Sequence, residues 1–328
     1  MYAGDELNPP KGFRKVFYYL GHYAKQELRN IPYVLSIVLF TAGLIYCYYE
    51  VDYIKALRRQ IYWKPSIFLY YIALYGSAYF GAFFLYIGWR KKGFLLKSPY
   101  FWAISLSAVF IFTLRSSSHL VTNEFLNQFR GWEHFVYWKR ILQDLIRGLI
   151  VILPVSIIWF ITREKGDRNM FGFSTKNVHF KIYFIMLGIM LIPVLSFAFT
   201  DHFLASYPRA SGRGFQYFDV HNASDRIYFL FYEFIYGLDF VSIEYFFRGF
   251  LVIAFIRLIG PGAILPMAVF YVSIHYNKPA VETMSSFFGG SLLGILSYYT
   301  HSILGGIMVH VGIAWLMEIG GFVAKFRQ

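Results

Sequence analysis

Apolar stretches long enough to cross a hydrocarbon core recur from one end of this chain to the other. Hydrophobic residues make up 57% of its 328 positions and charged residues only 15%. A chain of that balance is no ordinary soluble domain. The stretches lie near Val34–Tyr49, Ile67–Trp89, Tyr100–Leu114, Leu142–Thr162, Ile182–Thr200, Phe229–Leu258, Ala263–His275, Thr283–Tyr299 and Ile303–Ile319. Some are short, and the last three have little polar sequence between them. The expected fold is therefore all-α, a polytopic transmembrane bundle of eight or nine spans.

Aromatic residues reach 22%, with 28 Tyr and 37 Phe. Tyr46-Cys-Tyr-Tyr49 and Tyr298-Tyr299 sit where spans should meet headgroups, as interfacial belts do. The net charge of +13 does not imply nucleic acid, because the 31 Lys and Arg are scattered among short connections. Arg58-Arg59, Arg90-Lys91-Lys92 and the Arg163–Lys176 cluster read as anchors on membrane lipids and as topology signals. Their distribution favours a cytoplasmic N-terminus, against the weight of Lys55, Arg58, Arg59 and Lys64. A multi-pass integral protein of the cell membrane is expected. The single Cys47 excludes an internal disulfide and a cysteine-rich metal site. About thirty mixed residues precede the first span, so no cleavable signal is expected there, and Phe13–Tyr23 suits an amphipathic interfacial stretch.

The chain divides near Arg163–Lys181, where charge and glycine break the apolar pattern. The expected organisation is an N-terminal region of about four spans (1–165), then a second membrane unit (166–328) carrying the chemistry. In the first region only Asp144 and Arg147 stand out, three apart, and read as a surface pair at a helix end. Asp201–Arg226 reads as a structured extramembrane loop, in which Asn222-Ala-Ser224 fits the glycosylation pattern weakly. Asp225 to Gly260 forms one helix-like run of roughly 54 Å, longer than the roughly 30 Å core, so it must tilt, protrude or bend, with Gly237 the expected hinge.

Four segments after the division bring polar groups to membrane depth. Glu244 and Arg248 lie in Phe240-Val-Ser-Ile-Glu-Tyr-Phe-Phe-Arg-Gly-Phe250, roughly 40° apart on a helix and able to touch. An ionised group at that depth is costly unless it meets a partner or a wet cavity. The pair is either a neutralised helix pair or a carboxylate that arginine orients into a cavity. His275 closes one apolar run and suits a helix-end histidine; His310 stands inside another with no loop nearby. His301 and Glu318 look interfacial or exposed. Gly290-Ser-Leu-Leu-Gly294 is a small-xxx-small pattern for close helix packing. One carboxylate and two histidines from three spans can activate water by general base catalysis, or Glu244, His275 and His310 could ligate a divalent metal such as zinc. Neither His-Glu-x-x-His nor Gly-x-Ser-x-Gly occurs.

Glu244-Tyr-Phe-Phe-Arg248-Gly, then Tyr271-Val-Ser-Ile-His275, then His310, resembles the three motifs of the CAAX-protease and bacteriocin-processing family, the type II CAAX prenyl endopeptidases. The resemblance covers about Phe171 to Gly320, and Phe287-Phe-Gly-Gly290 also suits it. It implies an intramembrane endopeptidase, of disputed metal dependence, acting on a membrane-associated peptide or protein. Glutamates and histidines would activate water there, while the last His and an Asn support the oxyanion. This sequence departs twice. Ile243 replaces the first residue of the usual Glu-Glu pair, and Ala314 stands at the Asn position. Asp239, one turn before Ile243, or Glu282, in the first turn of a helix begun at Pro279, is expected to complete the acid set. A catalytically impaired relative that binds membrane peptide as an immunity or scaffold protein is the alternative. A proton-coupled transporter would want paired repeats in both halves, and no repeat is visible.

Overall fold

The computed structural model describes residues 9–164, 168–211 and 214–325, which form helices and connections with no β-strand among them. The arm before the first span is the amphipathic α1 (Arg14–Tyr23), which buries Val16, Tyr19 and Tyr23. α2 (Ile31–Glu50) begins at Asn30, whose side chain accepts from the Tyr33 N–H, and Pro32 in its first turn needs no donor. After the short α3 (Asp52–Ile61) come α4 (Ile67–Trp89) and α5 (Pro99–Ser117), the latter capped by Ser98 in the same manner. α6 (His119–Asn127), α7 (Phe135–Thr162), α8 (Phe180–Phe197) and the one-turn α9 (Asp201–Leu204) follow. α10 (Arg226–Glu244) passes into a π turn at Tyr245–Phe250, and α11 (Ile256–Ile259), α12 (Ile264–Ser273), α13 (Ala280–Thr300) and α14 (Leu304–Lys325) complete the chain.

Among the described residues, seven stretches are long and apolar enough to cross a membrane, Arg226–Ser273 counting as one of them. α13 has the length, at 21 residues, but carries Glu282 and several hydroxyls. The outward surface agrees: Leu39, Leu69, Ile161, Ile192, Leu230 and Phe288 are all exposed, as side chains facing lipid must be. This is an integral, polytopic helical bundle.

Two local expectations need correction. The long run does not bend at Gly237. α10 is continuous through that glycine, where a β-carbon would stand 3.1 Å from the Trp315 ring, so the glycine admits a neighbour and makes no hinge. The run breaks later, at Leu251–Ala263, where Gly260 takes a positive φ of 56° and Pro261 follows it. The chain thereby reverses, and α12 returns beside the π turn. Asp144 and Arg147, paired at 3.0 Å, are not at a helix end, because α7 begins at Phe135, well before Asp144.

Helices in lipid gain little from hydrophobic transfer, so packing and polar contacts must hold them together. Here aromatic rings supply the packing. Phe112 of α5 meets Phe246 and Phe247 at ring distances of 5.0 and 5.3 Å, and Tyr79 of α4 meets Phe270 of α12 at 5.2 Å. Each such pair contributes about 0.5–1.5 kcal/mol beyond area burial. The two halves of the sequence thus share one core, and first-half helices brace the segment that carries Glu244. Gly290 and Gly294 act as their spacing suggested. A β-carbon would come within 2.9 Å of Tyr271 at the first and 2.7 Å of Met267 at the second, so α13 lies tight on α12 because both are glycine.

Candidate active site

Glu244 ends α10 and Arg248 lies in the π turn that follows, an element frequent at functional sites. Arg248 Nη1 donates to Glu244 Oε1 at 2.8 Å, and both side chains are fully buried. From α14, His310 Nδ1 approaches the same oxygen at 2.8 Å. A carboxylate can only accept here, so Nδ1 carries the proton and Nε2 is left as an acceptor. Tyr271 of α12 fills that role, its hydroxyl donating to His310 Nε2 at 3.3 Å. The Arg248 guanidinium stands over the Tyr271 ring, 4.4 Å from its centroid, and Phe240 closes on His310 at 4.6 Å. Four side chains from three helical segments thus form one connected chain of contacts.

The group is polar beyond its own needs. Glu244 Oε2, Arg248 Nε and Arg248 Nη2 are buried without a hydrogen-bond partner among the described residues. Leaving such atoms unpaired costs about 1–3 kcal/mol each, and more where charged. Among the four, Tyr271 is buried, Glu244 and Arg248 are sealed, and only His310, with its side chain 16% exposed, offers surface.

His275 stands at the margin. Its Nδ1 donates to the Tyr271 carbonyl at 2.8 Å and its ring packs on Tyr271 at 4.6 Å. It makes no hydrogen bond to Glu244 or His310. Asp239 is turned elsewhere: Arg115 of α5 holds it at 2.8 Å. Glu282 does lie in the first turn of α13, just after Pro279, but pairs with Lys278 at 3.2 Å. Neither acid bonds to the Glu244 group. Glu318 is not exposed as expected. It is buried, and its two oxygens accept from the backbone N–H groups of Arg209 and Ala210 at 3.0 and 3.2 Å.

The expected metal set does not assemble either. Among the described residues no three His, Cys, Asp or Glu side chains gather closely enough to hold an ion. Glu244 Oε1 takes a guanidinium and an imidazole N–H, and His275 bonds to neither Glu244 nor His310.

Two contributors were absent from the sequence-derived set. Tyr271 was visible, one helical turn before His275 on the same face, but only as a motif aromatic and not for its hydroxyl. Gly306, likewise one turn before His310, packs its α-carbon against Glu244. Its signal was the paired glycine at 305–306.

Residues 226–316 match the family model described as type II CAAX prenyl endopeptidase Rce1-like. The matched segment contains Glu244, Arg248, Tyr271, His275, Glu282 and His310. No curated protein and no solved structure matches the chain.

Proposed function

We propose that this chain, which belongs through residues 226–316 to the Rce1-like type II CAAX prenyl endopeptidase family, is an intramembrane endopeptidase that hydrolyses a peptide bond at the membrane. The observation that carries the reading is the hydrogen bond between Glu244 and His310, made between separate helices in an apolar interior. A carboxylate–imidazole pair is the minimal apparatus for moving a proton at neutral pH. Arg248 holds the carboxylate in place and offsets its charge. Residues 166–328 would form the peptidase unit, with 1–165 as its brace in the cell membrane. The family name points to a membrane-associated protein with a prenylated CAAX-type end as substrate.

The test is turnover. Purified protein in liposomes is given a prenylated fluorogenic peptide, and products are identified by mass. Cleavage that falls well below wild type in both Glu244→Gln and His310→Gln is expected. Equal cleavage by wild type and both variants would sink the reading.

Ile243 and Ala314, at positions where the family pattern has polar residues, favour a second reading as a non-catalytic peptide binder. Saturable peptide binding without turnover, unaltered in Glu244→Gln, would favour it.

A further inference from the structure

We propose that the proton acceptor in this chain is His310 Nε2, with Glu244 as its orienting carboxylate and the Tyr271 hydroxyl as hydrogen-bond donor to the substrate oxygen. The inference rests on the peptidase reading and assigns the roles within it. Three observations carry it. Glu244 Oε1 is occupied twice, by Arg248 Nη1 and His310 Nδ1, each at 2.8 Å. Glu244 is fully buried whereas His310 retains exposed surface, so of the two it is the imidazole that is open to a reactant. The Nδ1 bond fixes the tautomer, which aims a bare Nε2 at the Tyr271 hydroxyl 3.3 Å away. His275 is the poorer candidate because its ring bonds to the Tyr271 carbonyl, and among the described residues no carboxylate bonds to it to offset a positive charge.

The chemistry balances with water as the only co-reactant. A water placed between Nε2 and a substrate carbonyl gives its proton to Nε2 as its oxygen bonds to the carbonyl carbon. The C=O π electrons move onto oxygen. By rotation about its C–O bond the Tyr271 hydroxyl exchanges Nε2 for that developing oxyanion, supplying a donor from a helix other than the one that bears Ala314. Glu244 offsets the imidazolium through Nδ1–H, the role a buried carboxylate plays beside a catalytic histidine elsewhere. When the intermediate collapses, the C–N bond breaks and the Nε2 proton passes to the departing nitrogen. One water is consumed, and one acid and one amine are released.

The experiment compares Tyr271→Phe, Glu244→Gln, His310→Gln and His275→Gln with wild type in the liposome assay, reading kcat and KM separately, with thermal unfolding as a check on folding. Tyr271→Phe should lower kcat about 100-fold, the usual effect of losing one oxyanion donor, with KM within about two-fold. Glu244→Gln should keep more turnover than His310→Gln, because it spares the acceptor while removing its support. His275→Gln should retain more still. Tyr271→Phe at wild-type kcat, or Glu244→Gln no more active than His310→Gln, overturns the assignment while a working wild type leaves the peptidase reading intact. If Tyr271→Phe does not fold, the ranking of the other three decides. A wild type that cleaves nothing overturns both.

Discussion

Glu244 Oε2 rests against the α-carbon of Gly306, in the space that a β-carbon at that position would occupy. The contact joins the end of α10 to the first turns of α14 and holds the carboxylate beside His310, one turn further along the same helix. Gly306 has nothing to do with backbone freedom here; it is a matter of room.

Gly306→Ala should therefore push the carboxylate away from Arg248 and His310. Overpacking of this kind costs about 1–3 kcal/mol, and the displaced charge stays buried. Turnover in liposomes should fall at least ten-fold, with a lowered unfolding temperature in detergent. Gly312→Ala on the same helix is the control, since its β-carbon would meet only the flexible end of Leu187. A Gly306→Ala variant as active as Gly312→Ala would show that Glu244 need not be held there.

The Glu244–Arg248 pair should be more sensitive to losing one partner than both. Arg248→Met leaves a carboxylate buried with only an imidazole to answer it, and such breakage costs about 3–5 kcal/mol. Glu244→Gln/Arg248→Met removes both charges and should unfold at a higher temperature than Arg248→Met alone. Thermal unfolding of the three proteins in one detergent measures this directly; a double variant less stable than Arg248→Met would contradict it.

These relationships were unequally legible in the sequence. Glu244, Arg248 and His310 announced themselves because charge and imidazole are conspicuous in apolar runs, and a four-residue spacing fixes who can touch within one helix. Spans such as Ile67–Trp89 were legible for the same reason, since lipid imposes length and apolarity together. Partnership between distant helices was not. Asp239 lies one turn from Ile243, which made it look like part of the acid set, yet Arg115, 124 residues earlier, claims it. Gly237 looked like a hinge because glycine usually loosens a helix, whereas here it makes way for Trp315. Nothing in the one-dimensional pattern ranks such uses.

Asp239 and Glu282 should accordingly be dispensable for chemistry. Asp239→Asn loses the ionic bond between α10 and α5 but keeps its shape, so turnover should stay within about three-fold while stability falls by about 1–3 kcal/mol, the range for hydrogen bonds to charged groups. Glu282→Gln gives up a half-exposed pair with Lys278, worth about 1 kcal/mol or less. The double variant, assayed at saturating peptide, should cleave nearly as fast as wild type; loss of cleavage in a folded double variant would return these acids to the site.

Glu318 offers the sharpest structural test. Its two oxygens each take a backbone N–H from consecutive residues, Arg209 and Ala210, so one carboxylate pins the loop after α9 onto α14. Charge-assisted bonds of this kind contribute about 1.5–3 kcal/mol each, and their loss leaves buried N–H groups unpaired. Glu318→Ala should release the loop. Limited proteolysis should then cut between Ser206 and Asn222 much faster than in wild type, at temperatures where the spans remain folded by circular dichroism. Glu318→Gln, which keeps one acceptor oxygen but turns an amide NH₂ toward the second donor, should be intermediate. If Glu318→Ala resists the protease as wild type does, the loop is held by other contacts, such as Arg140 Nη1 to the Arg209 carbonyl. In that case Arg140→Met is the variant that should open it.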